Sequence, residues 1–324
     1  MNKKWIIIIT ASVLVAVLTI TLSLVFTRYQ WDPDDTEELY LINVNKVGYA
    51  NTIETAIPQT EIYNMVNAHF NSSLAEGKTE KKAIIIGYDG CRADILAEMQ
   101  SENSGIKALL NDGASINLAY CGGVNYPEKN TQDTSTAPGW CSILTGKWAD
   151  VHGINKNYVV KSMDTKTLLT SLVEDGKANS SSFITKWKGH FVKRKATYVK
   201  EKAYAENKNL AVNYVLSDDD ENSVALTTQE LQKADCADFL FVIYEPTDAI
   251  GHSKGFSYNN PKYKEAFKTA DSYGYDTISA IKSRPTYPQE DWLIVITSDH
   301  GGLKTQHGKA SLQERMTFIV TNKG

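Results

Sequence analysis

The chain has 324 residues, enough for one large domain or two small ones. Its composition is that of an ordinary globular protein, and a formal net charge of −4 gives no electrostatic basis for nucleic-acid binding. Its four cysteines form no Cys-x-x-Cys pair, which argues against cysteine-bound metal.

The first feature along the chain is an uncharged apolar run from Trp5 to Phe26, preceded by Lys3 and Lys4. It is long enough to cross a bilayer as a helix. A cleavable signal peptide has a shorter apolar core and an Ala-x-Ala-like exit, and neither is present. Residues 1–30 are therefore expected to be an uncleaved signal anchor; cleavage would instead release a secreted protein. After the run come Asp32, Asp34, Asp35, Glu37 and Glu38, so the lysines should stay in the cytoplasm. The expectation is a single-pass cell-membrane protein with its bulk outside. That compartment permits disulfides among Cys91, Cys121, Cys141 and Cys236, in a pairing left open; alternatively each is a small buried apolar residue.

Residues 31–80 read as a tether followed by a packing helix. Positions 31 to about 57 are acidic and polar without a clear period. From Pro58 to Glu76, Ile62, Met65, Val66 and Phe70 have helical spacing, and Gly77 ends the pattern. His69 fits as a half-buried helix residue.

Residues 81–324 read as the catalytic domain. Ala83–Tyr88 is a buried strand, Asp89-Gly90 follows it, and Ala93–Gln100 has helical character. A carboxylate just past a strand end sits where open parallel sheets bind ligands, although a turn or N-cap Asp would look the same. In Thr134–Gly146, Pro138 suits the first turn of a helix that Gly146 can close. The hydroxyl of Thr136 before that helix is either a cap or a nucleophile favoured by the helix dipole and a neighbouring cation. Val151–Asn157 reads as a loop with a structural His152.

Leu168–Val173 fits a helix and Ser182–Thr185 a short strand. The basic run from Lys186 to Lys202 fits a solvated face or a phosphate-attracting rim, offset by Asp218, Asp219, Asp220 and Glu221. Val224–Ala234 is helical in pattern. Phe239–Tyr244 is a second buried strand, and Asp248 and His252 follow it on what reads as a loop. Tyr263–Ile281 is a long amphipathic helix. A third strand, Ile294–Thr297, runs into Asp299, His300 and two glycines, with His307 beyond; Phe318–Val320 is the last strand. This alternation predicts an α/β fold, a largely parallel central sheet with helices on both faces.

Three strand ends thus contribute Asp89, then Asp248 with His252, then Asp299 with His300, and His307 lies further on. At one sheet edge their carboxylates would repel and raise each other's pKa values. Two divalent ions about 4 Å apart would resolve this and polarise a phosphoryl group from both sides.

Tyr88-Asp89-Gly90, Thr136-Ala137-Pro138, Thr145-Gly146, His152-Gly153-Ile154, Asp248 to His252, Asp299-His300-Gly301 and His307-Gly308 occur in an order that resembles the alkaline phosphatase superfamily. The branch it looks most like is the type I phosphodiesterase/nucleotide pyrophosphatase-like proteins, from about residue 83 to 321. The resemblance implies one zinc held by Asp248, His252 and His307. A second would be held by Asp89, Asp299, His300 and the Thr136 hydroxyl. Thr136 would be the nucleophile of a covalent phospho-enzyme, and Asn157, with Asn155 as fallback, would bind a nonbridging phosphoryl oxygen. Many relatives carry an aromatic residue and an Asn where this chain has Ala137 and Gly139, which opens the question of substrate class. A sulfatase is excluded, because no Cys/Ser-x-Pro-x-Arg motif is present.

The expected function is metal-dependent hydrolysis of a phosphoric ester, with a nucleotide or head-group phosphodiester as substrate. A phosphomonoesterase or head-group phosphotransferase of the same superfamily is the alternative; an extracellular binding module without activity is another. Oligomeric state is not legible.

Overall fold

Three apolar strands form the centre of the molecule, and each is buried on both faces. In the computed structural model, which describes residues 34–123, 131–158, 163, 165–192 and 196–323, they lie within one eight-stranded sheet. The strands are β1 (Ile57–Pro58), β2 (Glu80–Tyr88), β3 (Ser115–Tyr120), β4 (Ser181–Thr185), β5 (Val212–Leu216), β6 (Phe239–Tyr244), β7 (Glu290–Thr297) and β8 (Met316–Thr321). Their order is β1-β3-β8-β7-β2-β6-β4-β5. β2 pairs in parallel with β6 and β7, whereas β8 runs antiparallel to both of its neighbours. The fold is thus α/β with a mostly parallel sheet, as expected. The expected span at residues 1–30 lies outside the described residues; among these, no helix is long and apolar enough to cross a membrane.

The helices are α1 (Glu37–Val47), α2 (Glu61–Asn71), α3 (Gly105–Asn111), α4 (Thr136–Thr145), α5 (Ala149–His152), α6 (Leu168–Glu174), α7 (Val199–Asn207), α8 (Asp220–Gln232), α9 (Pro246–Lys254), α10 (Pro261–Lys282) and α11 (Leu312–Arg315). Side chains alternate across the sheet with the strand period of two. Ile84, Ile86, Leu240, Val242, Ile294 and Ile296 share one core with Tyr263, Phe267 and Ile278 of α10. Ala83, Ile85, Phe241, Ile243 and Val295 share the other with Trp140 of α4, Val66 of α2 and Leu169 of α6. Each fully buried aliphatic side chain contributes about 1.5–3 kcal/mol relative to exposure. Removing one from β2 would open a cavity beside the site that β2 ends in.

Several boundaries differ from the sequence expectations for physical reasons. The segment read as a tether instead contains α1, capped by Thr36 accepting from the Leu39 N–H and closed by Gly48 in the left-handed region. It buries Tyr40 and Val44 and packs on the 3₁₀ turn Ala93–Glu98, so it belongs to the domain. Asp35 pairs both carboxylate oxygens with buried Arg92, at 2.7 and 2.9 Å, and Arg92 also grips Asp94. The Ala93–Gln100 stretch forms a 3₁₀ turn rather than an α-helix. Asp248 and His252 lie on α9, not on a loop, with Pro246 supplying the N-terminal turn. All four cysteines are buried and none forms a disulfide, which matches the apolar alternative.

Candidate metal centre and active site

The site begins with the carboxyl ends of β2, β6 and β7, which are adjacent in the sheet. Asp89 follows β2 directly, and its backbone N–H bonds the Tyr244 carbonyl at the end of β6. Gly90 turns with φ +64°, and a Cβ there would lie 2.8 Å from Asp248 Cβ and Oδ1. Only glycine combines that backbone with so close an approach. The Gly90 N–H then donates to Asp299 Oδ1 at 3.2 Å, joining the first strand end to the third.

The imidazoles are oriented in a uniform way. His300 Nδ1 donates to the Gly301 carbonyl at 2.7 Å, His252 Nδ1 to the Thr305 carbonyl at 3.0 Å, and His307 Nδ1 to the Thr134 carbonyl at 3.0 Å. A carbonyl can only accept, so each Nδ1 carries the proton and each Nε2 presents a lone pair. Those lone pairs converge with the carboxylates. His300 Nε2 lies 3.3 Å from Asp299 Oδ2 and 3.6 Å from Asp89 Oδ1; Asp248 Oδ1 lies 3.5 Å from His252 Nε2 and 3.8 Å from His307 Nε2. Asp248 Oδ1 and Asp299 Oδ2 are inaccessible to solvent yet have no hydrogen-bond partner.

Burial, reinforced by Asp248, holds the Asp89 carboxyl well above its ordinary pKa; burial and then Asp89 do the same for Asp299. Asp248 is raised by burial and by Glu245. Burial and the positive form of its neighbour depress the histidines: His307 acting on His300, and His252 acting on His307. Acceptor-rich and partly orphaned, with burial disfavouring its uncompensated negative charges, the cluster is suited to cations. Asp89, Asp299 and His300 each offer a ligand atom within 4.8 Å of the others, and so do Asp248, His300 and His307. The donor set, Asp and His only, fits divalent cations of the borderline kind.

Thr136 opens α4, and its hydroxyl caps nothing. Oγ1 lies 3.5 Å from Asp89 Oδ1 and 3.5 Å from His300 Nε2. Asn157 Oδ1 accepts the Ala137 N–H at 2.8 Å, which sets this amide beside Thr136; Asn155 is exposed. Asp89, Thr136, Asp248, His252, Asp299, His300 and His307 therefore meet at one sheet edge; Asn157 is linked to it through the Ala137 N–H, and Asn155 is not. His152 stands apart, bonded to Ser142 and the Ile154 N–H, as a structural residue. The positions of Ala137 and Gly139 carry no opening: Ala137 is buried, and a Cβ on Gly139 would lie 2.8 Å from Asp299 Cβ and its carbonyl oxygen.

Other contributors were not singled out from the sequence. Trp140 Nε1 donates to Asp89 Oδ2 at 3.1 Å, and its place one helical turn after Thr136 was the available signal. Thr247 donates to the Asp89 carbonyl at 2.5 Å. Lys186, the first of the basic run, is half-buried between Asp220 at 2.5 Å and Glu245 at 3.9 Å, so it is neither a free rim charge nor a solvated one. Residues 193–195 of that run lie outside the described residues.

Residues 83–317 match the family model for type I phosphodiesterase / nucleotide pyrophosphatase. Among solved structures, murine ectonucleotide pyrophosphatase / phosphodiesterase 5 is 18% identical, with a TM-score of 0.48 over 68% of this chain and 57% of that one. The chain thus spans little more than half of that enzyme's length. The C-terminal periplasmic domain of EcEptC from Escherichia coli, solved as a complex with Zn, is 12% identical, with a TM-score of 0.44 over 76% of this chain and 74% of that one. The lipoteichoic acid synthase LtaP from Listeria monocytogenes is 14% identical, with a TM-score of 0.45 over 80% and 71%.

Proposed function

The chain belongs to the type I phosphodiesterase / nucleotide pyrophosphatase family, and from that premise we propose that it hydrolyses a phosphodiester through a Thr136 phospho-enzyme at a two-zinc centre. The observation that carries the reading is the convergence of three inward-facing Nε2 lone pairs and two orphaned carboxylate oxygens beside the Thr136 hydroxyl. Asp248, His252 and His307 would hold one ion; Asp89, Asp299, His300 and Thr136 Oγ1 would hold the other. When bound, such ions lower the pKa of a ligated hydroxyl or water and neutralise charge growing on phosphoryl oxygens.

The residues divide the remaining work. Thr136 Oγ1 forms a bond to phosphorus as the bond to the leaving-group oxygen breaks, and its proton departs to solvent or to the leaving group. Water then attacks the same phosphorus, the Thr136 Oγ1–P bond breaks, and phosphomonoester and free enzyme result. Asn157, its Oδ1 already engaged by the Ala137 N–H, offers its NH₂ to a nonbridging oxygen. A donor fixed in that way stabilises charge as it develops without first having to reorganise. Trp140 and the Gly90 N–H keep Asp89 and Asp299 in position through the cycle.

The signal-anchor reading of residues 1–30 gives this activity a place, with the site outside the cell and held at the membrane. A phosphomonoesterase or head-group transferase would use the same groups; the acceptor in the second step distinguishes a transferase. The experiment is a rate comparison on the purified protein, with mono- and diester forms of one p-nitrophenyl leaving group and bound zinc quantified alongside. A diester rate well above the monoester rate with two ions bound is the expected result; full diester activity in metal-free protein would defeat it.

A further inference from the structure

The hydrogen bonds that hold the His307 loop converge on an uncharged residue to which the reading above gives no role. Thr134 is buried, at 1% exposure. Its carbonyl accepts from His307 Nδ1 at 3.0 Å, its hydroxyl donates to the Lys309 carbonyl at 2.8 Å, and the same hydroxyl accepts the Gly308 N–H at 3.0 Å. A hydroxyl has a proton and two lone pairs, so it makes both of its bonds at once. Thr134 therefore brackets His307, through the imidazole and through the two residues after it. The loop's far side is held separately, by the Lys309 N–H donating to Glu314 Oε1 at 3.0 Å.

The need for such a bracket follows from the site. His252 Nε2 and His307 Nε2 face each other at 3.0 Å. A cation held between residues on α9 and on the His307 loop needs that spacing fixed, and on the loop side it is set by how firmly the backbone of His307 is tethered. Gly308, at φ +107°, gives that backbone no stiffness of its own. Two residues beyond Thr134, at the first position of α4, is Thr136.

We propose that Thr134 is a positioning residue, whose hydroxyl fixes the register between the loop bearing His307 and the start of α4, which bears Thr136, so that Nε2 of the one and Oγ1 of the other face the same metal centre. The inference rests on the reading of this site as a metal centre. Loss of the hydroxyl would leave the Gly308 N–H and Lys309 carbonyl without their partner and let the loop drift. Partners of metal ligands that are lost in this way typically cost about 10–100-fold in metal affinity.

The test uses the full chain as wild type, Thr134→Val and Thr134→Ser. Each is stripped of metal and titrated with zinc against a chromophoric chelator, and the cobalt(II) absorption spectrum serves as an independent readout. Wild type should take up two ions. Thr134→Val should keep one at wild-type affinity and bind the other about 10–100-fold more weakly, the same ion that His307→Ala loses. Thr134→Ser, which retains the hydroxyl, should restore both. Equal affinities in wild type and Thr134→Val overturn the proposal, as does a Thr134→Ser variant as weak as Thr134→Val. Should Thr134→Val prove insoluble, Thr134→Ala takes its place under the same criterion. A wild-type protein that takes up no zinc overturns the metal reading itself, an outcome distinguishable because wild type and variants then titrate alike.

Discussion

The indole Nε1 of Trp140 donates to Asp89 Oδ2 at 3.1 Å, so the helix that begins with Thr136 also holds the carboxylate nearest to it. The ring that does this is wedged against β2. A Cβ on Gly87 would lie 2.4 Å from Trp140 Cη2, and Trp140 packs on Phe241 with centroids 5.3 Å apart. Nucleophile loop and carboxylate are therefore one rigid unit rather than two loops that happen to meet.

Trp140→Phe tests that unit. Phe keeps much of the ring packing but deletes the donor and leaves Asp89 Oδ2 short of a partner. Unfolding free energy in urea should fall by about 1–3 kcal/mol, as for other bonds lost from a buried carboxylate. Diester turnover should fall about 10–100-fold through misplacement of Asp89. Wild-type turnover in a folded Trp140→Phe protein would show that the indole bond is only a packing contact.

Thr136→Ala separates nucleophile from scaffold. Thr136 contributes no cap bond to α4 and lies 3.5 Å from its neighbours in the cluster. Its removal should leave the fold and most of the metal affinity intact. Hydrolysis of a p-nitrophenyl phosphodiester should drop by about 10³-fold or more, as happens when covalent nucleophiles are deleted. Thr136→Ser should recover part of it. A Thr136→Ala protein hydrolysing the diester at near-normal rate would sink the phospho-enzyme, because no bond to phosphorus could then form at that residue.

Gly139→Ala probes a position that the family resemblance casts as a pocket wall. The added Cβ would arrive 2.8 Å from both Asp299 Cβ and the Asp299 carbonyl oxygen, and backbone cannot swing aside as a flexible side chain can. Overpacking of this kind costs about 1–3 kcal/mol. The expected result is a lower melting temperature with weakened binding of the ion assigned to Asp89, Asp299 and His300. An unchanged melt combined with altered substrate preference would restore the pocket-wall role.

These positions also mark what could be read from the chain alone. Asp89, Asp248 and Asp299 were legible because each follows a run such as Ile84-Ile85-Ile86 or Phe239–Tyr244, whose unbroken apolarity requires burial on both faces. β5 and β3 carry Asn213 and Asn117, and their mixed polarity hid them. The reversal of β8 was not legible, since strand direction is set by the connection and not by the strand's own residues. α1 escaped because its buried face is held by Tyr40, Asn43 and the Asp35–Arg92 pair, not by a clear apolar stripe. Trp140 was not singled out: its place one turn after Thr136 was the only local signal, and its bond to Asp89 also depends on where β2 ends. The Thr134 bracket joins residues 134 and 307–309, a pairing that only the fold creates.

The remaining prediction concerns acid stability, and it rests on histidines away from the site. Burial, reinforced by Lys323 and Lys81, lowers His69 to about 4 from the ordinary 6.5. Burial likewise lowers His152 to about 4 and His190 to about 3. Each is therefore neutral in the folded chain at a pH where the unfolded chain already binds a proton. Between about pH 6.5 and 4 these three positions hold more protons in the unfolded state, so each one removes stability as pH falls through that window, whereas the site carboxyls raised by burial act in the opposite sense. Urea unfolding of the metal-free protein at pH 7.5, 6.0 and 5.0, compared between wild type and a histidine variant, isolates the histidine contribution from that of the carboxyls. His152 accepts the Ile154 N–H through Nδ1, which fixes its tautomer and makes it the cleanest one to remove. His152→Gln should flatten the slope between pH 6 and 5 by up to one proton relative to wild type. A slope unchanged by that substitution would mean that His152 can take up its proton inside the fold, against its burial beside Ser142 and Ile154.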